Sequence, residues 1–303
     1  MSTSELSDAA SEAASEAASD TASATGHQAE VRAELLAAVL ARYDATPSAR
    51  LQEIMRAAIR HIHAFAAEVG LTRDEWMVGI QFLTATGQMC DDVRQEFILM
   101  SDTIGLSTLV ELITYEAAPG ATENTVLGPF YVPGSTERAA GESIVEGEDA
   151  GERVLIHGVV RDPGGTPVAN ATIDVWQTNS NGLYAVQEPG VQDPQNCRGL
   201  FHTDPLGHYA FRTVRPADYP IPGDGPVGAL LTACGRGILR AGHVHVMASA
   251  PGFKTLITHV FDADSEHLDD DAVFGVRDSL VRDFNGEPGR EAEVEFDIVL
   301  SPT

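Results

Sequence analysis

The chain has 303 residues, of which Asp and Glu (45) far outnumber Lys and Arg (19), giving a formal net charge of −26. That balance argues against a nucleic-acid backbone and against an anionic membrane surface as partners. Hydrophobic residues make up 43% of the chain, enough for a globular core, yet no apolar run reaches the roughly eighteen residues of a bilayer span. Cys90, Cys197 and Cys234 are few, odd in number and far apart, which fits a reducing compartment. The N-terminus lacks a basic-then-apolar secretory pattern, so the expected location is the cytoplasm.

In chain order, residues 1–28 are mostly Ala, Ser, Glu, Asp and Thr and read as a disordered acidic tail. Residues 29–121 carry helical periodicity. Leu35, Leu36, Val39 and Leu40 form one apolar face, and Leu51, Ile54, Met55, Ala58, Ile59 and Ile62 form another. Thr46-Pro47 marks a helix start, Thr72 with Glu75 fits a capping box, and Gly70 and Gly105 fit helix ends. So many apolar faces predict a bundle that packs on something, a second copy of the chain being one option.

From residue 122 to 303 the texture changes. Arg153–Val160, Thr172–Thr178, His208–Val214, His243–Ser249, Thr255–Phe261 and Glu293–Leu300 read as strands. Asp162-Pro163-Gly164-Gly165 reads as a hairpin turn between two of them. Residues 267–284 are read as one more helix. The expected fold class is therefore α+β: an antiparallel β-sandwich that carries the chemistry, with a helical bundle ahead of it.

One stretch points to chemistry. In Arg240-Ala241-Gly242-His243-Val244-His245-Val246 the two histidines fall on the same face of a strand, where two imidazoles can converge on one ion. His61 and His63, spaced identically, lie in a helical stretch where i and i+2 diverge. Two imidazoles do not choose among first-row metals. No Glu follows at the spacing a cupin needs, and no Cys pair or His-Glu-x-x-His accompanies them as in common zinc sites. Two tyrosines in turn settings precede the strand, Tyr184 after Asn179-Ser180-Asn181-Gly182-Leu183, and Tyr219 before Pro220-Ile221-Pro222. A phenol gives up its proton only to a highly charged cation, so two phenolates with two imidazoles would suit ferric iron.

Four motifs in order then resemble the intradiol ring-cleavage dioxygenase family: Glu123 to Tyr131, Ile173-Asp174-Val175-Trp176-Gln177 with Gly182-Leu183-Tyr184, Tyr219 to Pro222 with Asp224-Gly225-Pro226, and Arg240 to His245. Within it, the Tyr-Pro-Ile-Pro loop, Arg94-Gln95-Glu96-Phe97 leading to Ser101-Asp102, and Thr258-His259-Val260-Phe261 resemble the hydroxyquinol-cleaving members. The resemblance implies that Tyr184, Tyr219, His243 and His245 are the Fe(3+) ligands. Tyr219 would be the one that leaves as substrate binds, acting as a base. It places Arg240 beside the iron as a catalytic cation, and Leu99, Asp102, Gly128, Pro129, Phe130, Ile221, Pro222 and Val273 around the substrate. Asp102 would accept a hydrogen bond from a third ring hydroxyl, which catechol lacks.

The implied reaction cleaves hydroxyquinol (benzene-1,2,4-triol) with O2 to 3-hydroxy-cis,cis-muconate, the tautomer of maleylacetate, with catechol or a chlorocatechol as the alternative substrate. The resemblance also implies a homodimer joined through the N-terminal helices, with a phospholipid in an apolar tunnel. Two departures stand out. Ala241-Gly242 replaces the common Pro-Ala, and His259 stands where catechol-cleaving members carry glutamine. The rival reading from another class is a non-catalytic β-sandwich binding module, which Arg161 to Gln177 also resembles. Such a module would be colourless, whereas phenolate-to-ferric charge transfer would colour the enzyme red.

Overall fold

The computed structural model describes residues 26–91, 94–287 and 290–303. Most of the acidic tail, residues 1–25, lies outside the described residues. The helices are α1 (residues 26–41), α2 (Ala49–Glu68), α3 (Arg73–Gln88), α4 (Glu96–Thr103), α5 (Leu106–Thr114) and α6 (Pro226–Ala233). The strands are β1 (Arg153–Arg161), β2 (Thr172–Trp176), β3 (Arg198–His202), β4 (His208–Val214), β5 (Tyr219–Pro220), β6 (Leu239–Arg240), β7 (His243–Ser249), β8 (Leu256–Asp262), β9 (Val281–Arg282), β10 (Ala292–Glu295) and β11 (Ile298–Val299). The chain divides into two compact units, Met1–Gln81 and Phe82–Thr303.

The first unit is helical. Helix α2 begins after Ser48, whose Oγ accepts the N–H of Leu51 at 3.2 Å. The start therefore falls later than Thr46-Pro47, because the hydroxyl of Ser48 supplies the cap. The helix ends at Gly70 in the left-handed region (φ +60°), with Leu71 N–H returning to the Ala66 carbonyl. Thr72 and Glu75 form the expected reciprocal cap, Thr72 N–H to Glu75 Oε2 at 2.9 Å and Glu75 N–H to Thr72 Oγ1 at 3.3 Å. Ile62, Phe65 and Trp76 remain exposed. Among the described residues no single helix is long and apolar enough to cross a membrane.

In the second unit β1 alternates outward and inward, sending Val154, Ile156 and Val160 to the core. It pairs antiparallel with β4 and parallel with β10 and β11. A five-stranded sheet runs β3-β2-β7-β8-β9, antiparallel except for the β8–β9 pair. One buried cluster takes Val154, Ile156 and Phe211 from the first sheet and Ile173, Val246 and Val260 from the second. At about 1.5–3 kcal/mol for each such side chain, this is the main stabilising mass of the unit.

Three expectations are corrected. The sheets are mixed, not wholly antiparallel, because late strands return alongside β1 and β8 in the same direction. The turn at Asp162 forms, with Thr166 N–H on Asp162 Oδ1 at 2.8 Å, and brings Pro167 back antiparallel to Arg161, but it does not pair β1 with β2, which belong to different sheets. The strand expected over Glu293–Leu300 is interrupted between β10 and β11. There the Phe296 carbonyl presses against Gly158, where any Cβ would collide with it.

Nor does a helix occupy 267–284. That stretch holds turns, a 3₁₀ turn at Asp278–Leu280 and β9. Asp271 Oδ2 takes the N–H of Gly275 at 2.7 Å, and Phe274 sits at φ +57°, so a side-chain-to-backbone turn outcompetes the helix.

Candidate metal centre

Strand β7 is central in its sheet, with Trp176 of β2 opposite His245 on one side and His259 of β8 opposite it on the other. His243 and His245 share one buried face, as period-two geometry requires. Tyr184 follows a turn built on Asn179, whose Oδ1 accepts the N–H groups of Asn181 (3.0 Å) and Leu183 (3.1 Å). Gly182 in that turn has φ +79°, and a Cβ there would lie 3.1 Å from the Tyr219 Cβ, so glycine lets the two tyrosine loops meet. Tyr219 on β5 pairs in register with Arg240 on β6. The Ala241-Gly242 departure has a local cause: a Cβ on Gly242 would sit 2.7 Å from the Pro216 carbonyl oxygen.

Four heteroatoms converge. Tyr184 Oη lies 3.2 Å from Tyr219 Oη and 3.0 Å from His245 Nε2, which in turn lies 3.2 Å from His243 Nε2. All four side chains are buried. Donors about 2 Å from a common ion sit about 3 Å from one another, so the spacing fits one cation.

The donor chemistry fits as well. His243 Nδ1 lies 2.6 Å from the Ala241 carbonyl, which fixes the proton there and leaves Nε2 as a bare lone pair aimed at His245 Nε2. Burial, then Arg240, holds the His243 imidazole well below its ordinary pKa; burial, then His243 and Arg240, does the same for His245. Both are neutral ligands in waiting. Burial, reinforced by Tyr219, pushes the Tyr184 phenol well up, so its proton leaves only for a strong electrophile.

Arg240 is buried beside them, with Nη1 3.2 Å from Tyr219 Oη and 3.3 Å from His243 Nε2. Its Nε donates to Asp271 Oδ1 at 3.1 Å, while its Nη2 has no hydrogen-bond partner among the described residues. Leu99, Ile221 and Val273 pack in one cluster with Val227, Leu231 and Ala272. Asp102, on the same helix as Leu99, is buried, and that burial raises its pKa against the opposing pull of Ser107 and Arg240. Gly128 (φ +75°) passes His245 so closely that a Cβ would lie 3.3 Å from its Cε1. Phe130 stacks on Tyr184 at 4.6 Å. Pro129 is exposed and Pro222 half-buried, next in the chain to Gly128 and Ile221.

Two residues beside the site were not among the sequence-predicted site residues. Asp271 sits in an acidic run with no motif to distinguish it. His259, singled out in the sequence only as a mark of the hydroxyquinol branch, is fully buried, with neither ring nitrogen hydrogen-bonded among the described residues and its ring 4.2 Å from His245 and 4.5 Å from His243. Ligand atoms of His243, His245 and His259 lie within 4.8 Å of one another, a group able to hold a metal ion.

Residues 126–302 match the family profile described as Dioxygenase, and residues 48–122 match the one described as Catechol dioxygenase N terminus. The chain belongs to the intradiol ring-cleavage dioxygenase family. It is 48% identical to a 6-chlorohydroxyquinol 1,2-dioxygenase of Cupriavidus pinatubonensis, over 87% of this chain and 95% of that one. It is likewise 48% identical to a hydroxyquinol 1,2-dioxygenase of a Rhizobium species, over 80% of this chain and 82% of that one. A solved hydroxyquinol 1,2-dioxygenase from Pseudomonas putida superposes with a TM-score of 0.85 at 41% identity, covering 90% of this chain and 99% of that one. As a member of this family the protein is a ring-cleaving oxidoreductase, and the binding-module reading is set aside.

Proposed function

We propose that this dioxygenase cleaves hydroxyquinol with O2 between adjacent hydroxyl-bearing carbons, giving 3-hydroxy-cis,cis-muconate and its tautomer maleylacetate. The carrying observation is the 42–48% identity to several proteins named for hydroxyquinol or its chlorinated form. Solved catechol and chlorocatechol 1,2-dioxygenases stand at 25–28%, which makes those diols the second choice. Tyr184, Tyr219, His243 and His245 would hold Fe(3+), since two phenolates and two neutral imidazoles suit a hard trivalent cation. When bound, that ion acidifies the phenols and the ring hydroxyls and activates the ring toward O2.

The chain's own residues supply the rest. Tyr219 Oη takes a proton from one ring hydroxyl, and Arg240 Nη1, 3.2 Å away, steadies the charge that moves. Arg240 Nη2, a buried donor with no protein partner, is available to an anionic substrate oxygen. Leu99, Ile221 and Val273 supply an apolar wall, with Phe130, Gly128, Pro129 and Pro222 completing the substrate site. Asp102 receives the third hydroxyl.

Residues 29–121 would form the dimerisation element of a cytoplasmic homodimer able to hold a phospholipid, a reading supported by the exposed Ile62, Phe65 and Trp76. Oxygen uptake with hydroxyquinol, catechol and chlorocatechols side by side tests the substrate. Hydroxyquinol should turn over fastest, and a preference for catechol would replace this reading with the alternative.

A further inference from the structure

We infer that the turn Asp271–Gly275 is the positioning device for Arg240, Asp271 holding the guanidinium by charge and Gly275 by leaving it room. The inference rests on the function proposed above.

Arg240 and Asp271 are both buried, their side chains only 4% and 2% exposed, and they form a direct ion pair. A guanidinium at this depth needs a fixed counter-charge. Asp102, the other carboxylate acting on it, is burial-raised and reaches it only through space. The carboxylate of Asp271 is itself pinned, one oxygen by Arg240 Nε and the other by the N–H of Gly275. That bridge closes a turn that also carries Val273, whose carbonyl is held by Thr108 Oγ1 at 3.3 Å and whose side chain lies in the apolar wall. Ala272 N–H bonds the Leu239 carbonyl at 3.0 Å, tying the turn to the residue before Arg240.

Gly275 completes the seat. A Cβ there would lie 2.8 Å from Arg240 Nη2 and 3.1 Å from Asp271 Oδ2. Nη2 is the donor without a protein partner. The turn thus leaves that donor free while the other guanidinium nitrogens are engaged, Nε by Asp271 and Nη1 by Tyr219 and His243. A side chain at 275 would displace it without changing any charge.

The test uses metal-loaded full-length protein. Asp271→Asn keeps an oxygen for Gly275 N–H but removes the counter-charge. Its kcat should fall about 10- to 100-fold per bound metal, with KM for hydroxyquinol changing much less. The visible tyrosinate band should move to shorter wavelength, because uncompensated positive charge beside Tyr219 stabilises its phenolate. Gly275→Ala, which alters no charge, should lower kcat by a similar factor with the fold intact by circular dichroism.

In metal-free protein, Arg240→Met with Asp271→Asn should melt above Asp271→Asn alone, since only the single variant strands a buried cation. Wild-type kcat per metal in either single variant, an unmoved band in Asp271→Asn, or additive melting losses would overturn the inference. Wild-type protein inert toward hydroxyquinol would overturn the functional reading, leaving the metal-free melting comparison to judge the pair by itself.

Discussion

Glu96 of α4 caps α6 from the far side of the sequence: its Oε1 accepts the N–H of Val227 at 3.1 Å. The carboxylate is fully buried, and its other oxygen meets Arg94 Nη2 at 2.9 Å. Gly225, just before α6, is the residue that lets it approach, since any Cβ there would collide with Glu96 Oε1. Helix α6 in turn presents Val227 and Leu231 to Leu99, Ile221 and Val273. Glu96→Ala should cost about 1–3 kcal/mol, chiefly through the unsatisfied Val227 N–H, since Arg94 keeps its pair with Asp224. Thermal unfolding should show it, together with a raised KM as the apolar wall loosens. A wild-type melting temperature would mean that the cap is dispensable.

Tyr184→Phe removes one of the four converging donors. Metal content per chain should drop and the visible band should weaken, with the rest of the fold intact by circular dichroism. Stripping metal from the wild type should abolish turnover, and restoring it at about 100 times its Kd should stabilise the fold by about 2.7 kcal/mol. An unchanged spectrum in Tyr184→Phe would remove Tyr184 from the ligand set.

Substrate choice should turn on Asp102. Its burial makes an unpaired carboxylate costly when a diol without the third hydroxyl binds. Asp102→Ala should narrow the hydroxyquinol-to-catechol ratio of kcat/KM by about 10- to 100-fold, the range of one unsatisfied buried polar group. An unaltered ratio would place discrimination elsewhere in the pocket.

Acid should erode stability through turn carboxylates remote from the site. The Asp162 carboxyl is held below its ordinary pKa chiefly by the Thr166 N–H, and that of Asp204 chiefly by the His208 N–H. A depressed folded-state pKa contributes stability above the unfolded value, about 3.9, and loses it as pH falls through the folded value. Melting temperatures of Asp162→Asn and wild type should therefore differ most at neutral pH and converge as pH falls through the lowered folded value.

Much of the site was legible because its signals are local. The period-two alternation around His243 located β7 end to end, and the alternation at His208–Val214 located β4. Strands β5 and β6, which bring Tyr219 beside Arg240, are two residues each and too short to show any period. Parallel return of β10 and β11 to β1 is set by contacts more than a hundred residues apart. The expected helix over 267–284 failed for a related reason. Asp271 spends its side chain on Gly275 N–H and Arg240, two partners that no window of sequence places together.

The indole of Trp176 lies nearly parallel to the His245 imidazole, centroids 4.6 Å apart and planes 12° apart, with its own N–H unpartnered. The chain has one other tryptophan, Trp76, which is half exposed. Emission from the buried indole should fade as a coloured centre forms beside it, while that of Trp76, which does not stack on a ligand histidine, should fade much less. The protein would then report its own loading by the ratio of the two, without any added dye.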